Sequence, residues 1–197
     1  MRKILTLGFA LVVCASALFA DDPKKAADDM QKAQMEAWMK ASTPGDAHKK
    51  LDGMVGTWDV KVKAWMAPGA PPMESTGTAV NSWVLGGRWM EEKFNGSFMG
   101  MPFQGIGYTG YDNIKKQYVG TWMDNMSTAV MVSSGKGASG NTYEFTSSMD
   151  DPMTGKPAMI KEKVTFTDAD HHTMEMWGPG PDGKVYKSME ISYSRKK

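Results

Sequence analysis

VNSWVLGGRWMEEKFNGSFMGMPFQGIGYTGYDNIKKQYVGTWMD, residues 80–124, is a succession of short aromatic and β-branched runs broken by Gly86-Gly87, Asn95-Gly96 and Tyr111-Asp112-Asn113. Runs of that length between turn-forming residues read as antiparallel strands joined by tight reversals. The rhythm extends outward in both directions. Upstream, Trp58, Val60 and Val62 alternate with Asp59, Lys61 and Lys63, a strand with one buried and one wet face. The Pro-rich loop 67–72 follows it. Further strands are expected at 75–85, 88–95, 102–111, 117–124, 128–134, 142–149, 158–167, 171–178 and 184–194. Gly135 to Gly140, Asp150 to Gly155, Asp168 to Asp170 and Gly178 to Gly183 supply the remaining reversals. No long helical segment separates the strands. Parallel pairing needs crossovers of about a dozen residues or more, so neighbours pair antiparallel. An open sheet of this size has two exposed edges, which closure removes. The fold class expected is all-β: a single antiparallel up-and-down barrel of about ten strands, with an N-terminal helix. Gly77, Gly105, Gly107 and Gly120 suit bends in the closing sheet.

The start of the chain follows a different pattern. Arg2 and Lys3 precede an apolar run from Ile4 to Ala17. At about fourteen residues it fits the ~7–15 of a signal-peptide core and falls short of the ~20 of a spanning helix. Cleavage is expected after Ala20, before the polar switch at Asp21, with export to the periplasm or the extracellular space. Val13 before Cys14 does not suit a lipoprotein site. Cys14 is the only cysteine, so the mature chain would have none, which excludes disulfides, thiolate zinc sites and cysteine nucleophiles. Loss of Arg2 and Lys3 reduces 23 basic residues to 21 against 22 acidic ones, a formal charge of −1. That balance gives no reason to expect a nucleic-acid partner, and no membrane association is expected after signal cleavage. Residues 21–47 read as a helix and linker. Met30, Gln34, Ala37 and Trp38 recur at helical spacing, and Lys24 to Ala41 is expected to be one amphipathic helix, stopped by Thr43-Pro44-Gly45. It would lean on the barrel or cap one mouth; the alternative is a loosely ordered leader. The barrel domain is expected over 48–197.

The chain has 19 methionines, spread along its length. Met fills irregular gaps and suits adaptable apolar surfaces, and its thioether also selects Cu(I). Met99-x-Met101 and Met174-x-Met176 each put two sulfurs on one strand face, but no His or Cys is arranged beside them. No metal and no cofactor is expected.

Several blocks carry a resemblance: HKKLDGMVGTWDVKVK (48–63), WVLGGRWMEE (83–92), GMPFQGIGYTGYDNIKKQYVGTWMDNMSTAVM (100–131), DPMTGK (151–156) and MEISYSRK (189–196). They look like the bacterial domain-of-unknown-function family 1579. The resemblance implies a secreted barrel and no particular activity. More widely, Gly56-Thr57-Trp58 is similar to the Gly-x-Trp that opens the first strand of calycins: lipocalins, fatty-acid-binding barrels and nitrobindins. Lipocalins lay an Arg near the last strand over that Trp, a role the resemblance gives to Arg195. Nitrobindins hold haem through a late His. His171 and His172 are late, but both read as part of a solvated hairpin.

The inward-facing polar residues decide what such a barrel handles. Arg88, Met90 and Glu92 alternate onto one face, Trp89, Glu91 and Lys93 onto the other. The first set is expected inside, with Arg88 and Glu92 forming a clamp for a ligand carboxylate or polar headgroup. Trp122 with the block Asp124 to Thr128 either lines one mouth or makes an Asx-type turn. Glu162, Glu175 and Glu190 lie in strands with apolar positions, and Tyr108, Tyr118, Tyr186 and Tyr193 are candidate polar handles. Ser127 lacks a nucleophile elbow. The ligand-site candidates are thus Arg88, Met90, Glu92, Trp122, Asp124 and Thr128, with Gly56, Trp58 and Arg195 structural. The function expected is binding of a small apolar or amphipathic ligand. The alternatives are an enzyme acting on a small polar substrate through Arg88, Glu92 and Asp124, and a protein-interaction module.

Overall fold

The computed structural model describes residues 23–151, 154–180 and 182–197. The expected signal peptide and Cys14 lie outside these residues. The chain forms two units, the first ending at Lys40 and the second running from Ala41 to Lys197. In the first, helix α1 (Pro23–Ser42) is where the spacing of Met30, Ala37 and Trp38 predicts it. Its Met30, Met35, Trp38 and Met39 are all exposed.

The second unit is a barrel entered through a short helix α2 (Asp46–Lys49) and a 3-10 turn, Asp52–Met54. Ten strands follow: β1 (Gly56–Ala64), β2 (Met73–Val84), β3 (Trp89–Phe98), β4 (Met101–Asp112), β5 (Gln117–Asp124), β6 (Met131–Ser139), β7 (Thr142–Asp150), β8 (Pro157–Phe166), β9 (His171–Pro179) and β10 (Val185–Arg195). Each pairs antiparallel with its sequence neighbours, and β1 closes on β10 from Trp58↔Arg195 to Ala64↔Met189. The protein is therefore a closed ten-stranded antiparallel up-and-down barrel.

One reversal falls elsewhere than its Gly-containing pair suggests, and another uses only the end of its glycine run. Asn95-Gly96 lies inside β3, and the chain turns at Met99-Gly100 instead, where φ of 53° and 77° gives the mirror-image geometry a two-residue hairpin requires. Gly96 is small for a packing reason: a Cβ there would sit 2.6 Å from Thr76 O, where β2 and β3 cross closely. Of the Gly135 to Gly140 run, only Gly140 serves the turn. β6 runs through the rest with a register shift between Ser134 and Gly137, and the reversal comes at Gly140. At its other end β6 begins at Met131, so 128–130 belong to a loop.

One end of the barrel is sealed. Leu51 and Met54, on and beside the 3-10 turn, pack against Met90, Tyr118, Tyr143, Phe145 and Val164. Polar ends bind the plug to the wall. Tyr118 donates to Ala47 O (2.8 Å), Tyr143 to Lys50 O (2.7 Å) and Trp58 Nε1 to Met54 O (2.8 Å). Trp58 is 0% exposed, with the Arg195 guanidinium 4.1 Å over its ring, as the calycin resemblance implies. That guanidinium donates to Val55 O (2.7 Å), Gly53 O (3.0 Å) and Ala169 O, and pairs with Asp170. Gly56 lets it approach: a Cβ at that φ of 138° would stand 2.4 Å from Nη1. The segment 46–54 therefore seals this end.

Candidate functional site

Strand alternation decides what faces inward. From β3 these are Met90, Glu92 and Phe94, as the 88–92 pattern predicts for the two residues that lie in the strand. Arg88 is not with them. It belongs to the turn after β2, is exposed, and donates to Leu85 O at 3.2 Å. The expected Arg88–Glu92 clamp does not form, because the strand begins one residue too late to turn Arg88 inward. Trp89, Glu91 and Lys93 face outward, where Glu91 accepts from Tyr108 (2.9 Å) and pairs with Lys93 (2.8 Å).

Inside, Glu92 meets Tyr193, and Tyr193 in turn feels a second carboxyl. The Tyr193 hydroxyl, from β10, donates to the Glu92 carboxyl, and the Glu162 carboxyl, from β8, bears on the same phenol. Glu162 is 6% exposed and accepts from the Ser147 hydroxyl of β7. Burial raises all three acids. Glu92 is pushed up to about 7, with the Tyr193 hydrogen bond acting the other way. Glu162 rises by burial against the Ser147 hydrogen bond. Tyr193 is held well above the usual tyrosine range, first by burial and then by the charge of Glu92. Glu92 nonetheless keeps part of its accessible surface. The same holds toward the open end, where the inward-facing Phe103, Trp122, Ile160, Met176, Met189 and Ile191 are only half-buried. A second buried cluster, Trp58, Val60, Val62, Ala79, Phe94 and Tyr193, continues the packing, and Phe103, Trp122, Met189 and Ile191 lie against it with part of their surface still accessible.

Trp122 enters from β5 and lies across Gly105, where an added Cβ would come within 2.1 Å of its Cζ2. Its Nε1 donates to Asp124 Oδ2 at 3.0 Å, and Asp124 Oδ1 accepts from Met126 N (2.9 Å). Asp124 therefore makes an Asx-type turn at the mouth and orients the indole. Thr128 is exposed on the loop that follows. Of the six candidates, the barrel brings Met90, Glu92 and Trp122 inside, puts Asp124 at the rim, and leaves Arg88 and Thr128 outside.

His172 corrects the hairpin expectation. His171 is exposed, paired with Asp168 at 2.9 Å. His172 is already the second residue of β9 and is 4% exposed, because Asp168 to Asp170 complete the reversal before it. Its ring stacks on Tyr193 (4.3 Å, 11°) and meets Trp58 edge-on (4.4 Å). Burial and then the Arg195 charge lower it to about 4. Ser147 and Asn81 were not singled out by the sequence, although the inward register Tyr143, Phe145, Ser147 points to the first. Glu175 and Glu190 face outward and share Lys187. Among the described residues no three His, Cys, Asp or Glu side chains converge as a metal shell.

A concavity of about 770 Å³ lies on the outer wall over β6 to β9. Its outward side chains include Lys136, Glu144, Lys161, Lys163 and Trp177. Glu144 stands opposite Lys163 in register, the arrangement of a solvated sheet face, and the inward-facing Phe145 and Glu162 form the floor of the concavity between these strands.

Fold and interior together define a calycin-like barrel: closed, plugged at one end, with the Trp of its Gly-x-Trp buried beneath an Arg at the plug. The chain belongs to the family described as "Protein of unknown function (DUF1579)", matched over residues 43–195. Among curated proteins no sequence matches. Among solved structures it is similar to Rv2717c from M. tuberculosis (TM-score 0.61, 14% identity, 79% of this chain and 100% of that one). It is also similar to the S-type phycobiliprotein lyase CPES from Guillardia theta (TM-score 0.50, 12% identity, 78% and 99%). At such identities the likeness is one of fold.

Proposed function

We propose that this protein is exported and holds a small apolar or amphipathic ligand in the upper half of its barrel. The observation that carries the reading is the contrast within the interior. The base is packed to closure, while inward-facing aromatic, Met and Ile side chains above it keep accessible surface. Apolar walls around a few convergent polar groups are the usual composition of a small-molecule site. Trp122, fixed by Asp124, supplies a flat apolar wall, and Glu92 supplies the polar end. Export rests on the signal-like pattern of residues 1–20. Comparison with a phycobiliprotein lyase supports only the capacity of such a barrel to serve small-molecule chemistry. The test is titration with the neutral fluorescent probe N-phenyl-1-naphthylamine. Saturable one-to-one binding that weakens in Trp122→Ala is expected, and a non-saturable signal, or one indifferent to Trp122, would refute interior binding. N-terminal sequencing of protein recovered outside the cytoplasm should begin near Asp21.

A further inference from the structure

We propose that the interior receives the polar end of its ligand as a cation, an organic amine seated between Glu92 and Glu162. The inference rests on the reading of the interior as a ligand site and narrows it to a chemical class. That class is opposite in charge to the carboxylate an inward Arg88 would select.

The first ground is the inventory of charges. Two carboxyls, Glu92 from β3 and Glu162 from β8, face inward from opposite walls of the barrel, and both act on the Tyr193 phenol. Each has one neutral donor: the Tyr193 hydroxyl for Glu92 and the Ser147 hydroxyl for Glu162. Among the described residues no Lys or Arg is among the groups that act on either carboxyl, and Lys161 and Lys163, which flank Glu162 in β8, alternate onto the outer face with Lys136. Arg88 is in an exposed turn, Lys93 pairs outside with Glu91, and Lys187 lies outside between Glu175 and Glu190. Arg195 is engaged at the base by carbonyls and Asp170. Buried carboxylates without a counter-cation are costly, and a ligand ammonium would satisfy both the charge and the open acceptor positions.

The second ground is independent of the acids. Asn81 of β2 stands opposite Glu92 in register, faces inward and is 4% exposed. Its Nδ2 donates to Met54 O at 3.0 Å, but its Oδ1 has no hydrogen-bond partner. Buried acceptors without a donor are rare and point to a missing partner. A primary ammonium has three N–H donors and no acceptor. Glu92, Glu162 and Asn81 together offer acceptors only once their own donors are assigned. The aliphatic tail of such a ligand would run toward Trp122, Met176 and Met189, which keep accessible surface on the same interior.

The reading makes binding pH-dependent. The titratable groups facing Glu92 are Tyr193 of β10, Glu162 of β8 beyond it, and His172 of β9 stacked behind the phenol. In the same register row β1, β2 and β4 present Gly56, Asn81 and Gly107, which do not titrate. With Glu92 near 7, an ammonium binds best once the carboxyl has ionised, so binding below that pH releases a proton.

The experiment compares dodecylamine, dodecanol and dodecanoate, each below its aggregation concentration, as competitors of bound N-phenyl-1-naphthylamine. At about pH 8 the amine should bind at least about tenfold more tightly than the alcohol or the acid, and the margin should shrink to within about threefold near pH 5.5. Glu92→Gln and Glu162→Gln, each checked for folding by thermal unfolding, should each lower the amine-to-alcohol ratio about tenfold. A ratio near one, a preference for dodecanoate, or a preference that persists in the double variant would overturn the proposal while leaving interior binding standing. Failure of all three compounds to compete would overturn both readings.

Discussion

Glu92 and His172 put opposite pH dependences into one interior. The Glu92 carboxyl is raised from an ordinary 4.5 to about 7, so the folded chain keeps a proton that the unfolded chain loses. Stability from this residue is full below about pH 4.5 and is lost as pH rises to about 7. His172 is lowered from 6.5 to about 4, so the folded chain stays neutral where the unfolded one charges. Its contribution is present above about 6.5 and is lost as pH falls toward 4. A tenfold change in proton affinity between folded and unfolded chain is worth about 1.4 kcal/mol, so each residue spans roughly 3 kcal/mol, and the two nearly cancel between pH ~4.5 and ~6.5. Glu162 adds to the first and His48 to the second, both in direction only. Urea denaturation across that interval should therefore be nearly flat for the parent. Glu92→Gln should expose a stability that rises with pH, and be more stable than the parent at pH ~8. A parent curve that is steep in this interval, or a variant curve that stays flat, would contradict the pairing. Trp58, fully buried between His172 and Arg195, carries no such dependence. Trp58→Ala should cost about 3–5 kcal/mol by denaturant unfolding, the range for emptying a buried indole site.

At the scale of elements, what can be read in advance follows from what each signal encodes. Alternation reports which residues share a face, and it places Met90 with Glu92, and Trp58 with Val60 and Val62, correctly. It cannot say where a strand starts, and a difference of one residue in the β3 boundary is what puts Arg88 outside rather than inside. Gly-containing pairs report small size without saying why small size is needed. Asn95-Gly96 serves a close crossing of β2 and β3, whereas the true turn at Met99-Gly100 puts a Met at positive φ, which composition does not suggest. The Glu92–Tyr193–Glu162 cluster joins β3, β10 and β8, residues distant in sequence that only closure of the barrel brings together. The glycines of β4 make the packing demand testable. A Cβ at Gly105 would overlap Trp122, so Gly105→Ala should destabilise by roughly 1–3 kcal/mol, the cost of overpacking, and shift the Trp emission. Unchanged stability and emission would mean that Trp122 has room to swing aside. At the plug, Arg195→Lys should lose much of what Arg195→Ala loses, since one ammonium cannot reach the carbonyls of Gly53, Val55 and Ala169 together while covering the indole.

For the whole molecule, the order of assembly follows from topology. Nine of the ten strand pairings join sequence neighbours, and their loops are short enough to close early. The pairing that makes the barrel, β1 with β10, joins Trp58 to Arg195 and Ala64 to Met189, the longest separation in the unit. Loop-closure entropy disfavours that contact until the intervening meander holds the ends near each other. The seam should therefore form after the rate-limiting step, with the plug residues Leu51 and Met54 settling onto the finished base. Val62, opposite Ile191 in the seam, and Phe94, packed on Phe103 in the β3–β4 hairpin, distinguish the two stages. In stopped-flow chevrons Val62→Ala should speed unfolding and leave the folding limb nearly unchanged, a fractional effect near 0. Phe94→Leu should slow folding, with an effect of about 0.5 or more if the hairpin belongs to the nucleus. The reverse assignment, with the seam variant slowing folding, would place closure at the transition state. The interior acids would then be desolvated before the wall was complete, which the cost of burying Glu92 and Glu162 argues against.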